Sequence, residues 1–146
     1  SLHDALPISQ QLTTPFAAVE LCTPPLDGMI LPGVTRDSVL ALCRSHADPL
    51  TSHRIAGLPE NLVVSERTIK MGEIVERSAN GSLLEMFGTG TAAVVSAVER
   101  IGYQGVDVPV PCGPSGLGDV ASAMLREICG RQLGEIKSDW SVVVDC

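Results

Sequence analysis

Fourteen glycines and ten prolines divide this chain into short apolar runs, and that punctuation constrains the fold more than any other feature. Each run suits a strand of about five residues or one face of a short helix. None approaches the roughly 20 apolar residues that span a bilayer. No basic stretch followed by an apolar one marks a secretory signal. Strand-like and helix-like runs alternate, as in an α/β (α+β) domain with a sheet covered by helices. No internal repeat interrupts the alternation.

At 146 residues the chain has one domain's worth of sequence, and with 45% apolar and 18% charged residues it has the composition of a folded core. Aromatics make up only 3%, so Val, Leu, Ile, Ala and Met must fill that core. The net charge of −7 argues against a nucleic-acid partner, whose phosphates would be repelled on average. Five widely spaced cysteines form no C-x-x-C pair and have no paired histidines, which predicts reduced thiols and neither a disulfide framework nor a zinc site.

VELCT is a strand candidate closed by Pro24, Pro25 and the turn LDG. Ser38 to Ser45 is helical by spacing, with Val39, Leu42 and Cys43 on one face and Leu40 beside them. NLVVSERTI reads as a strand and MGEIVERSANG as a helix, with Met71, Ile74 and Val75 inward and Gly81 just past its end. LLEMF and AVVSAV are further strand candidates, with GTGTA a sharp break between them, IGYQG a turn and VDVPV a short strand weakened by Pro109. DVASAMLREICGRQL is the longest helix, facing inward with Ala121, Met124, Leu125, Ile128 and Leu133.

Three glycine turns offer places for chemistry. In LPGVTRD a turn runs straight into a helix, so the first backbone N–H groups converge and the helix dipole adds partial positive charge. Val34 and Thr35 would then present amides to an anion, with Arg36 adding charge; a plain N-cap by Thr35, with Asp37 in the first turn, accounts for the same residues. In FGTGTA, Gly88 and Gly90 allow a ligand close to the backbone, Thr89 and Thr91 supply hydroxyls, and the amides of Thr91 and Ala92 are donors. A hairpin or bulge needs such glycines equally. GPSGLG has neither the order of a dinucleotide fingerprint nor a following Gly-Lys-Ser/Thr, and reads as a loop before a helix starting at Asp119.

Classical catalytic groups are scarce. His46 and His53 lie in polar sequence and His3 near the N-terminus, so surface positions are expected. Glu66 and Arg67 alternate faces of a strand, which suits pairing. Lys70 and Lys137 are the only lysines, and neither has the apolar setting that makes an amine nucleophilic.

Taken together, TPPLDGMILPGVTRDSVLALC, LVVSERTIKMGEI, LLEMFGTGTAAVVSAVERI, the GP…G loop and GEIKSDWSVVV resemble, in order and spacing, the branched-chain amino acid aminotransferases. The likeness covers residues 20–144, with the texture of fungal members. It implies the C-terminal part of the large domain of the fold-type IV, D-amino-acid-aminotransferase-like fold, over 19–146. Residues 1–18 are expected to be a non-native or disordered leader, since SLHDALPIS resembles translated sequencing adapter.

The family's cofactor is pyridoxal 5'-phosphate. The resemblance implies that Val34 and Thr35 hold its phosphate through backbone amides, aided by the Thr91 hydroxyl. It further implies that the amides of Thr91 and Ala92 face the substrate carboxylate. The implied reaction is Leu, Ile or Val with 2-oxoglutarate, in a homodimer of the cytoplasm or mitochondrial matrix, without metal, nucleic acid or membrane. A D-amino acid aminotransferase, an aminodeoxychorismate lyase and a non-enzymatic phosphate-binding fragment are the alternatives. The family's Schiff-base lysine, the acid that pairs with the pyridine nitrogen and the small N-terminal domain precede the matching stretch. The chain alone is therefore expected to be inactive, with no catalytic residue of its own. Ala93 and Ser96 stand where some members carry a C-x-x-C thiol pair.

Overall fold

A computed structural model describes residues 18–145. Strand β1 (Val19–Thr23) is followed by helix α1 (Val34–Ala47), strand β2 (Leu62–Glu66) and helix α2 (Met71–Asn80). Four short strands come next: β3 (Phe87–Gly90), β4 (Val94–Ala97), β5 (Arg100–Tyr103) and β6 (Val106–Pro109). Helix α3 (Asp119–Gln132) closes the order. The result is a small α+β structure in which β1 and β2 pair in parallel, Val19 opposite Leu62 and Thr23 opposite Glu66. The crossover through α1 gives β1 and β2 the covered face that parallel pairing requires. β3 pairs with β4 and β5 with β6, each as an antiparallel hairpin.

The core lies between α1, α3 and the strands. Val39, Leu42 and Cys43 of α1 meet Val120, Ala121, Ala123, Met124 and Ile128 of α3, with Leu62 and Val95 supplied by β2 and β4. Cys43 and Met124 are wholly buried, their sulfurs 3.6 Å apart. Met fills such an irregular gap well because three rotatable bonds let it adapt. Gly81 ends α2 at φ +79, where a left-handed residue lets Ser82 and Leu83 N–H turn back to the Arg77 carbonyl. Among the described residues no helix is long and apolar enough to cross a membrane.

Several sequence expectations are corrected. α1 starts at Val34, four residues before the apolar period begins, because a polar first turn is solvated while the rest of the helix packs. LLEMF forms no strand before Phe87, since Glu85 is drawn aside to another element. FGTG is strand, and the break falls after it. IGYQG supplies β5, with only Gln104 and Gly105 turning, both at positive φ (51 and 76), as a tight hairpin with the strands' twist demands. Leu133 is 73% exposed, because α3 stops at Gln132 and the inward face stops with it. His46 is buried: its Nδ1 accepts the Ile55 N–H at 2.9 Å, which leaves Nε2 to donate to the Pro59 carbonyl at 2.9 Å. His53 is half-buried beside Ser45, 3.1 Å from its hydroxyl. His3 lies outside the described residues.

Candidate functional site: an open helix start

After β1 the chain turns at Asp27–Gly28, where Asp27 Oδ1 accepts the Met29 N–H at 3.0 Å and Gly28 takes φ +94. Gly33 then caps α1 in extended conformation (φ −66, ψ 136) without any side-chain cap. The first intrahelical bond comes from Asp37 N–H to the Gly33 carbonyl at 3.0 Å. The N–H groups of Val34, Thr35 and Arg36 precede it and have no carbonyl to reach within the helix. Thr35 sits inside the helix and is not its cap. A cleft of about 190 Å³ opens at this turn, lined by Leu26, Pro32, Gly33, Val34, Arg36 and Asp37. Val34 is 82% exposed, and Thr35 is half-buried beside the cleft without lining it.

Arg36 borders that opening, but its Nη2 is engaged elsewhere. Its Nη2 donates to the Pro24 carbonyl at 2.8 Å and to Glu66 Oε1 at 2.6 Å. Arg44 takes the other Glu66 oxygen at 2.9 Å. Hydrogen bonds from Arg36 and then Arg44 hold the Glu66 carboxyl below its usual range.

Thr91, Ala92 and Ala93 form the exposed turn that joins β3 to β4. A Cβ on Gly88 or Gly90 would meet nothing within 4 Å, so there is room for a ligand beside the strand. The turn is bent by Val94, which is held at φ 59. A β-branched residue in that region costs on the order of 1–3 kcal/mol and persists only where packing over-determines it; Val94 packs against the core. α1 lies against β3, so the strand leading into Thr91 and the open helix belong to one packed unit. No described hydrogen bond joins Val34 or Thr35 to Thr91 or Ala92.

The donor set suits an anion. First-turn amides without a side-chain partner among the described residues, an exposed Val34 and an unobstructed glycine strand leave donors and space for a phosphate or carboxylate. Among the described residues no group of three or more His, Cys, Asp or Glu is placed to hold a metal.

The third glycine turn is filled from within. Glu85 accepts the Val120 N–H at 2.8 Å and the Ala121 N–H at 3.4 Å, so the start of α3 is occupied by the chain's own carboxylate. Burial raises the Glu85 pKa, outweighing those two amides. A Cβ on Gly118 would collide with that carboxylate, and one on Gly113 with the Leu117 carbonyl. These glycines serve packing. The lone acid in the apolar run LLEMF was the available sequence signal.

On the other face of β1–β2, Arg67 binds Glu20 at 3.0 Å and Glu73 at 2.7 Å, and Arg77 holds Glu73 at 3.0 Å. Arg67 hydrogen bonds lower the pKa of both acids against the opposing effect of burial. Glu66 and Arg67 thus pair on opposite faces, as their alternation predicts. The described cysteines, Cys22, Cys43, Cys112 and Cys129, are free.

The sequence is 43% identical over 127 residues to the cytosolic branched-chain-amino-acid aminotransferase of Saccharomyces cerevisiae, covering 86% of this chain and 31% of that protein. It is 43% identical over 126 residues to the mitochondrial enzyme of Schizosaccharomyces pombe, covering 84% of this chain and 27% of the relative. Over this stretch the chain is similar to branched-chain-amino-acid aminotransferases. The Dictyostelium discoideum branched-chain aminotransferase matches at 39% over 128 residues, 86% of this chain and 30% of its own. The chain therefore spans 27–31% of the length of these curated relatives. No protein-family model matches it. Both cytosolic and mitochondrial forms occur among the branched-chain aminotransferases it resembles.

Proposed function

We propose that this chain supplies part of the large domain, over 19–146, of a branched-chain amino acid aminotransferase of fold-type IV, and that its open helix start holds the cofactor's phosphate. The parent moves an amino group from leucine, isoleucine or valine to 2-oxoglutarate as a homodimer of the cytosol or mitochondrial matrix. The reading is supported chiefly by the α1 N-terminus, which among the described residues has no side-chain cap and lines a cleft within a sequence 43% identical to such an enzyme.

In this reading the amides of Val34 and Thr35 bind phosphate at the positive end of the α1 dipole, and the Thr91 hydroxyl donates to the same group. The amides of Thr91 and Ala92 orient the substrate carboxylate. Pyridoxal phosphate, when bound, supplies the electron sink for the amino-group chemistry. Backbone donors are preorganised, so they bind an anion without ordering long side chains. Lys70 precedes α2 and Lys137 lies in the C-terminal segment, both exposed and neither at the α1 start or the β3–β4 turn. The isolated chain is accordingly a binding segment without turnover.

Titration with pyridoxal phosphate, followed by amide shifts in NMR, tests this assignment. The largest shifts are expected at Val34, Thr35, Thr91 and Ala92. Shifts confined to other residues, or turnover of leucine by the isolated chain, would overturn it.

A further inference from the structure

We infer that Arg36 and Glu66 form a latch that positions the first turn of α1 and so sets the aim of its free amides; the inference rests on the anion-seat reading above. Arg36 is the third residue of α1, and only 13% of its side chain is exposed. Its Nη2 reaches two acceptors that belong to two different strand ends. Pro24 follows the last residue of β1, and Glu66 is the last residue of β2. One guanidinium therefore ties the helix start to the carboxyl ends of both parallel strands. Ligands of α/β sheets commonly bind at that edge.

Glu66 makes the tie rigid. Its two oxygens hold Arg36 at 2.6 Å and Arg44 at 2.9 Å, two residues about two helical turns apart. A single carboxylate gripping α1 at two heights opposes both tilt and rotation of the helix. Gly33 adds no side-chain bond at the same turn. Arg36 and Glu66 are positioning residues: their charges face each other and the Pro24 carbonyl, while the amides are left to the ligand.

The sign of one substitution separates this role from plain electrostatics. Glu66→Gln raises the net charge from −7 by one, so Coulomb attraction alone would tighten anion binding. A lost latch loosens it. Asp107→Asn makes the same charge change on the exposed β5–β6 hairpin and serves as the control.

The full chain is titrated with inorganic phosphate, and Asp37 amide exchange is followed in parallel, since that N–H makes the first bond of α1 to Gly33. Glu66→Gln and Arg36→Lys are expected to weaken phosphate binding about tenfold. Asp37 exchange should quicken about tenfold, while Val39 to Cys43 stay protected as in wild type. Arg36→Lys keeps the charge and the helix, so it carries the test should Glu66→Gln fail to fold. Asp107→Asn should leave both readings near wild type. Tighter or equal phosphate binding in Glu66→Gln, or unchanged Asp37 exchange, overturns the latch. Wild-type protein that binds no phosphate overturns the proposed function, and the exchange rate, read without ligand, tells the two failures apart.

Discussion

α1 and α3 both begin at a glycine, yet one start is open and the other is shut. Gly118 precedes α3, and Glu85 reaches across from another part of the chain to take the amides of Val120 and Ala121. Gly33 precedes α1, and among the described residues no side chain caps its first turn. A helix start attracts negative charge in either case. The chain answers α3 with its own carboxylate, whereas among the described residues none caps the first turn of α1. Glycine before a helix is thus ambiguous by itself. At Gly118 it makes room for Glu85, whereas at Gly33 a Cβ would meet nothing closer than the Arg36 Cβ at 4.0 Å.

The largest effect should come from crowding the shut start. Gly118→Ala drives a Cβ into the Glu85 carboxylate and is expected to destabilise the fold by about 2–3 kcal/mol in urea unfolding. An unchanged midpoint would show that Glu85 does not close α3.

Glu85→Gln is gentler, at about 1 kcal/mol, and depends on pH. Burial raises the Glu85 pKa above its ordinary 4.5, so the fold holds that proton more tightly than the unfolded chain. Its stabilisation is present below 4.5 and is lost as pH climbs through the raised value. The gap between wild type and Glu85→Gln should therefore narrow as pH rises above 4.5. Glu20 and Glu73 act oppositely: Arg67 lowers both pKa values, so their contribution is present above 4.5 and is lost as pH falls through the lowered values. Acid unfolding curves of the two proteins measure both trends.

The smallest effect on stability comes from shutting the open start. Gly33→Ser adds a side-chain cap in a backbone conformation any residue accepts and should stabilise by a few tenths of a kcal/mol. The same hydroxyl competes for the first-turn amides, so phosphate binding should weaken while thermal stability rises slightly.

The difference between the two starts was only partly legible in the sequence. The inward faces of α1 and α3 follow from a 3.6-residue period, which is local and strong, and Val39, Cys43, Met124 and Ile128 are buried accordingly. Leu133 continues that period past the end of the helix, where spacing cannot see the last hydrogen bond. Glu85 sits in an apolar run that reads as strand, and its partners lie 35 and 36 residues away. His46 reads as polar surface because both its partners are backbone atoms of a loop. The α1 turn itself was legible as a glycine before polar residues. Whether Thr35 or Gly33 caps it depends on where the helix begins, and that is set by packing further along.

One substitution tests the open start most directly. Val34 is the first residue of α1, where proline is well tolerated because the N–H it removes has no helical partner. Gly33, at φ −66 and ψ 136, already has the extended conformation that a following proline requires. Val34→Pro therefore deletes one proposed phosphate donor and little else. Calorimetric titration with pyridoxal phosphate should show affinity reduced about tenfold, with unfolding stability within about 0.5 kcal/mol of wild type. Undiminished affinity in a variant of wild-type stability would contradict the claim that α1 begins with a phosphate seat.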